Sequence, residues 1–250
     1  MKERLDKLLV QRGLTSSRER ARALIMEGKV LVDGRPVTKA GTLVGDASSV
    51  SLKEPDIPYV SRGGLKLKAA VEHFGIGLGG KAVMDVGAST GGFTDYMLSQ
   101  GARKVYAIDV GYGQFDWGLR QDPRVVLLER TNIRYLDRER IPEEVDLASV
   151  DVSFISLMNV IPRVTEFLRP GGEIIALVKP QFEVGREEVG KGGVVREEEK
   201  RLKAVSSLRE FFDKQGLVTV GTMESPVKGQ KGNVEYFIYL KKPMGGDDVQ

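Results

Sequence analysis

The chain of 250 residues contains no cysteine and one histidine, His73. The first absence excludes disulfides, thiol nucleophiles and thiolate-held metals, and it fits a reducing compartment. The second excludes His-rich metal clusters and makes a Ser-His-Asp triad a poor candidate. No apolar run approaches the ~20 residues that a membrane helix needs. The start, MKERLDKLLVQRG, is charged throughout and lacks the apolar stretch of a secretory leader. Chemistry therefore falls to Lys, Asp, Glu, hydroxyls or a cofactor. What is present, 41% hydrophobic and 29% charged residues, is the composition of a soluble globular chain with one large domain, or a large and a small one.

The net charge of +3 is unevenly spread. Residues 1–56 hold eleven basic and eight acidic side chains, and the remainder of the chain balances. Within residues 1–40 the ratio is ten to five, which points to an anionic polymer as the partner of that segment.

Leu5, Leu8 and Leu9 have helical spacing and Gly13 stands where a cap would end the helix. Ser16 and Glu19 form a capping-box pattern for a second helix with Ala21, Leu24 and Ile25 on its apolar face. Lys29–Gly34 reads as a short strand entering an Asp-Gly turn, and Ser49–Lys53 as a further strand. These elements predict a small α+β domain over 1–56, followed by a linker at 57–62. From there to 242, apolar runs at Ala82–Val86, Lys104–Asp109, Val125–Leu128, Val145–Val150 and Glu173–Val178 alternate with stretches expected to be helical, the signature of a parallel sheet. The last runs, Leu217–Glu224 and Val234–Leu240, are joined by too few residues for a crossover helix and should pair antiparallel. The tail 243–250 is expected to fray.

The first strand of the larger domain runs into Gly87-Ala88-Ser89-Thr90-Gly91-Gly92-Phe93, with Asp85 two residues before the first glycine. This is not the dinucleotide fingerprint, whose spacing is G-x-G-x-x-G. Asp109, 22 residues after Gly87 at the end of the second strand, is placed to accept hydrogen bonds from ribose hydroxyls. Together they suit an S-adenosylmethionine pocket. Gly185–Gly192 resembles a P-loop, but Gly192 replaces the metal-binding hydroxyl and two acids would face the phosphates, so it reads as a loop beside the site. Asp151 and Lys179 close two further strands on the same rim as Asp109, while Glu235 in the last strand and Lys66 ahead of the core are charges in apolar surroundings that need partners. His73 reads as a half-buried helix residue, and Phe115 and Trp117 remain unassigned.

The segments Ser61–Leu67, Asp85–Phe93, Asp109–Gln114, Glu129–Asn132, Asp151–Ser156, Lys179–Gly185 and Gly232–Phe237 together resemble the TlyA family, bacterial ribosomal-RNA ribose methyltransferases also labelled haemolysins. Arg4–Leu9 and Ser17–Arg22 resemble the S-four RNA-binding domain. The resemblance implies a Rossmann-like α/β methyltransferase sheet with a small N-terminal α+β S-four-like domain. It implies the Lys-Asp-Lys-Glu tetrad of FtsJ-like enzymes on Lys66, Asp151, Lys179 and Glu235, and a cofactor site extended to Val110, Asn132 and Asp151. Thr90 stands where many FtsJ-like proteins have proline, a change that should not harm cofactor binding.

The implied reaction is methyl transfer from S-adenosylmethionine to a cytidine 2′-hydroxyl of 16S or 23S rRNA, or of both, in the cytoplasm and without a metal. Lys179 is the candidate base or an orienting group. A lysine base must be neutral to act, a state that desolvation or a nearby cation such as Lys66 favours and carboxylates oppose. Arg4, Lys7, Arg18, Arg20, Arg22 and Lys29 are the candidates for RNA phosphate contact. Two rival readings are a membrane-active haemolysin, for which no insertion segment is visible, and a non-catalytic RNA-binding assembly factor, which filled tetrad positions disfavour.

Overall fold

The computed structural model describes residues 2–15, 17–53 and 57–245. The chain forms two compact units, Met1–Pro58 and Tyr59–Gln250. In the first, β1 (Lys2–Arg4) leads into α1 (Leu5–Gln11), then α2 (Arg18–Met26), β2 (Val30–Val32), β3 (Arg35–Pro36), β4 (Leu43–Gly45) and β5 (Val50–Leu52). Leu5, Leu8 and Leu9 pack with Ala21, Leu24, Ile25, Val30 and Val44 into one small core, as their helical spacing requires. Ser16 of the expected capping box, like residues 54–56 at the end of the expected small domain, lies outside the described residues. The cap is Ser17, whose hydroxyl accepts the Arg20 N–H at 3.1 Å. Asp33 and Gly34 take φ of 49° and 76°, the left-handed pair of a tight hairpin between β2 and β3. The pairing of β1 with β4 was not anticipated, because three-residue strands show no readable alternation.

The second unit comprises α3 (Gly63–Phe74), β6 (Ala82–Val86), α4 (Gly92–Ser99), β7 (Lys104–Ile108), α5 (Trp117–Arg120), β8 (Val125–Leu128), β9 (Val145–Val150), α6 (Ile161–Thr165), β10 (Leu168–Val178), α7 (Pro180–Glu183), α8 (Glu198–Lys214), β11 (Val218–Glu224) and β12 (Tyr236–Lys241). One seven-stranded sheet runs in the order β11-β12-β10-β9-β6-β7-β8. Its five strands from β10 to β8 are parallel, and β12 is antiparallel to both β10 and β11. Alternate residues of each strand enter opposite cores. Met84, Val86, Tyr106 and Ile108 pack on the face covered by Leu208 and Phe212 of α8, while Val83, Val105 and Ala107 pack with Leu67, Val71, Phe93 and Met97.

Two expectations are corrected. β10 begins at Leu168 rather than Glu173, with its register against β9 shifted across Pro170-Gly171-Gly172. No α-helix joins β8 to β9. The connection is made by 3-10 turns at Ile133–Tyr135 and Arg138–Arg140, because that stretch has no sustained apolar stripe and Pro142 interrupts it.

From β6 the chain moves outward through β7 and β8, then returns to β9 and β10 on the other side of β6. The direction of winding therefore reverses between β6 and β9. In open α/β sheets the ligand crevice opens outside the carboxyl ends of such a pair.

Candidate active site

The carboxyl ends of β6 and β9 meet closely. Gly87 has φ of 87°, and a Cβ there would lie 2.2 Å from the Asp151 backbone oxygen. Only glycine meets both demands. The loop continues through Ala88, Ser89, Thr90 and Gly91 to Gly92, where α4 begins. At the end of β7, Asp109 Oδ2 accepts the Ser89 N–H at 2.7 Å and Oδ1 accepts the Gly111 N–H at 2.6 Å and Gln114 Nε2 at 3.3 Å. One carboxylate thus ties the glycine loop to the loop after β7.

Two cavities flank this junction. The larger, about 720 Å³, is lined by Asp109, Val110, Gln114, Asn132, Ile133 and Phe154 among others. Asn132 caps the turn after β8 by accepting the Arg134 N–H at 3.1 Å. The smaller, about 300 Å³, is lined by Arg62, Lys66, Ala88, Thr90, Phe93 and Lys228 among others. Gly87, Ser89 and Asp151 border both. Gly92 lines the smaller, whereas Gly91 is buried beneath Leu119 and Phe115.

Asp85 requires a correction. It was expected to touch a cofactor, but it is fully buried and lines neither cavity. Its Oδ2 accepts the Thr94 hydroxyl at 2.7 Å, and Ser149 Oγ lies 3.3 Å from Oδ1. The carboxyl is pushed up to about 7 by burial, with the charge of Asp151 acting in the same direction. An interior strand such as β6 keeps its side chains inside, so an acid one step before the strand end supports the loop from within.

The four charged residues of the tetrad form two pairs. Lys66 Nζ lies 2.6 Å from Glu235 Oε2, with side-chain exposures of 12% and 2%. Lys179 Nζ lies 2.6 Å from Asp151 Oδ1, outside hydrogen-bond geometry, and donates to Ser153 Oγ at 2.9 Å. Lys66 rides on α3 and Glu235 immediately precedes β12, whose antiparallel course brings it back to the rim where β9 and β10 end. Contact with an opposite charge offsets part of the desolvation cost of each sheltered group.

In the first unit, three of the predicted RNA-contacting arginines converge on one buried acid. Asp6 takes a bidentate contact from Arg4 at 3.0 and 3.1 Å, and single contacts from Arg18 at 3.1 Å and Arg22 at 3.2 Å. Chiefly Arg4, with Arg18 and Arg22, holds the Asp6 carboxyl well below the usual range against its burial. All three guanidinium side chains remain about half exposed, and three cations against one anion leave an excess of positive charge. Lys7 and Lys29 pair locally with Glu3 and Glu27. Arg20 is exposed to an intermediate degree on α2.

His73, expected to be half-buried, is exposed and meets the Phe74 ring edge-on at 4.8 Å. Phe115 is buried and Trp117 exposed, and neither lines either of these two cavities. The P-loop-like stretch forms a 3-10 turn at Arg186–Glu188 and an isolated bridge, Gly190 to Val194, and no α-helix starts until Glu198. Asn233 fastens its end by accepting the Val195 N–H at 3.2 Å and donating to the Gly193 carbonyl at 3.0 Å. Sequence reasoning missed Ser153, Arg62, Gln114 and the Lys228-Gly229-Gln230 turn. The signal for the last was its glycine-punctuated position between the final strands.

Residues 59–242 match the FtsJ-like methyltransferase family and residues 3–49 the S4 domain. The chain is 47% identical over 239 residues, 95% of its length and 89% of the relative's, to the 16S/23S rRNA (cytidine-2′-O)-methyltransferase TlyA of Mycobacterium tuberculosis. It is 40% identical to Hemolysin A of Brachyspira hyodysenteriae, over 95% of this chain and 99% of the relative. A solved structure of a haemolysin-named protein from Streptococcus thermophilus, 42% identical, superposes with a TM-score of 0.76 over 99% of this chain and 91% of that one.

Proposed function

Because the chain belongs to the TlyA family of FtsJ-like methyltransferases, we propose that it transfers the methyl group of S-adenosylmethionine to the 2′-hydroxyl of a cytidine in ribosomal RNA. The observation that carries this reading is the junction of the two cavities. Asp109 borders one, Lys66 borders the other, the glycine loop runs between them with Gly87 and Ser89 on both, and Asp151, paired with Lys179, lies at their shared wall.

The larger cavity fits the cofactor. Asp109 retains acceptor capacity for ribose hydroxyls, Val110, Ile133 and Phe154 offer apolar surface for a purine, and the glycine loop leaves backbone close to the junction. When bound, S-adenosylmethionine supplies an electrophilic methyl group on a sulfonium that is already a good leaving group. The protein's remaining tasks are to align the ribose oxygen and to remove its proton.

In this reading Lys179, after giving up its own proton to solvent, receives the proton of the ribose hydroxyl, and Asp151 holds the ammonium that forms again. Lys66, fixed by Glu235, orients the ribose from the smaller cavity, where Arg62 and Lys228 add positive charge beside the RNA backbone. The arginine cluster of the S4 unit supplies contacts to RNA phosphates. An rRNA substrate sets the site of action in the cytoplasm.

The haemolysin reading has less to stand on. Among the described residues no helix is long and apolar enough to cross a membrane, and two largely sheltered ion pairs beside a cofactor-sized crevice have no use in it.

The test is methyl transfer by the purified protein to small subunits, large subunits and free rRNA from a strain lacking the gene, followed by mapping of 2′-O-methyl positions. Label on a cytidine ribose is expected, and the subunit that takes it identifies the substrate. Label on a base, or none on any rRNA, overturns the proposal.

A further inference from the structure

The two rim segments that carry Asp151 and Lys179 are fastened to each other by contacts that the roles above leave unexplained. Ser153 Oγ accepts from Lys179 Nζ at 2.9 Å. One residue on, Phe154 packs on Phe182 with ring centroids 5.0 Å apart. Then Ser156 Oγ–H donates to Glu183 Oε2 at 2.6 Å, and the Leu157 N–H donates to Glu183 Oε1 at 3.0 Å. Residues 153–157, after β9, are thus stitched in step to residues 179–183, after β10.

We propose that Glu183 is a positioning residue whose carboxylate clamps the Asp151 loop to α7 and so sets Lys179 against Asp151. This rests on the reading that Lys179 acts on the ribose hydroxyl. Lys179 is the residue that caps α7, and its carbonyl accepts the Phe182 N–H at 2.9 Å. A helix of four residues is too short to hold its own orientation, so something outside it must do so.

Glu183 is suited to that task because both of its oxygens are used by the opposite loop. The Ser156 hydroxyl is itself committed, since its oxygen accepts the Met158 N–H at 3.1 Å while its proton goes to Glu183. Burial pushes the Glu183 carboxyl up, the opposite of what strong charge pairing would produce, so the group is not retained there by a neighbouring cation. The clamped loop is also under backbone tension. Phe154, a bulky residue, has φ of 64° and is 88% exposed, a state that persists only where surrounding contacts impose it.

The experiment compares Glu183→Ala, Ser156→Ala and Glu183→Gln with wild type in single-turnover methyl transfer to rRNA, alongside cofactor and rRNA titrations. Glu183→Ala should slow transfer by roughly 10- to 100-fold, the scale of a misplaced reacting group, with both affinities changed less than about threefold. Ser156→Ala removes one arm of the clamp together with the cap on Met158, leaves the Leu157 arm in place, and should cost less. Glu183→Gln should recover most of the rate, because its amide carbonyl can accept from Leu157 while its NH₂ donates to Ser156.

A readout independent of catalysis is proton exchange at the ¹⁵N-labelled Lys179 ammonium, slow in wild type and faster in Glu183→Ala. Wild-type transfer rates in both alanine variants with unchanged Lys179 exchange overturn the clamp, as does a loss of cofactor affinity in proportion to the loss of rate. If the wild-type protein methylates no rRNA, the reading of function fails instead, and the lysine exchange still decides the clamp.

Discussion

Asp85→Asn should make the protein more stable at alkaline pH and leave it unchanged in acid. The carboxyl is fully buried and its pKa stands at about 7, against about 3.9 for an unperturbed aspartate. The folded state therefore binds this proton more tightly than the unfolded chain. Between about pH 4 and 7 rising pH withdraws stability, and above about pH 7 the whole loss is present. Three units at 1.36 kcal/mol each amount to about 4 kcal/mol, an upper figure because relaxation and water entry soften a buried charge.

Asparagine removes the titration and keeps the shape. Its carbonyl can still accept the Thr94 hydroxyl, and its amide can donate to Ser149. Urea unfolding from pH 4.5 to 8.5 should give a wild-type stability that declines with pH relative to the variant, with a gap of about 2–4 kcal/mol at pH 8. Parallel curves would refute the argument. Cofactor affinity should stay within about threefold, since Asp85 touches neither cavity; a large loss would put the side chain in the binding site after all.

Four further outcomes are expected. Lys179→Ala should lower single-turnover transfer by about 10²–10⁴ at near-normal cofactor affinity, and a loss of only a few-fold would remove it from the mechanism. Asp109→Asn should weaken cofactor binding by about 1.5–3 kcal/mol in calorimetry, and Asp109→Ala by more, because alanine also frees the Ser89 and Gly111 amides that the carboxylate holds. Gly229→Ala would place a Cβ 1.8 Å from Glu235 Oε1, so it should displace the Lys66–Glu235 pair and cost on the order of 10-fold or more in rate; an unaffected rate would show that the pair has room to move. Replacing Arg18 and Arg22 together by Ala should weaken rRNA binding and reduce the salt slope by about one to two, with cofactor binding intact, whereas an unchanged slope would assign them to Asp6 alone.

What the sequence determined by itself was whatever depends on neighbours along the chain. β6, β8 and β9 fall at Ala82–Val86, Val125–Leu128 and Val145–Val150, the bounds read from their apolar runs, because continuous burial in a parallel sheet writes itself into consecutive residues. The antiparallel return of β12 followed from the length of its connection, and the basic excess of residues 1–40 from counting. Tertiary structure alone decided who meets whom. Lys66 and Glu235 are 169 residues apart and become partners only because β12 reverses beside β10. Asp85 and Asp109 look alike as acids near strand ends, yet one is sealed against Thr94 and Ser149 and the other opens on a cavity, a difference of two residues in strand register. Arg18 and Arg22 share a helix face by spacing, but their convergence on Asp6 depends on α1 and α2 packing together. Local order follows from backbone sterics and hydrophobic period; the charges that carry the proposed chemistry are paired by chain segments far apart, and no period along the sequence records that distance.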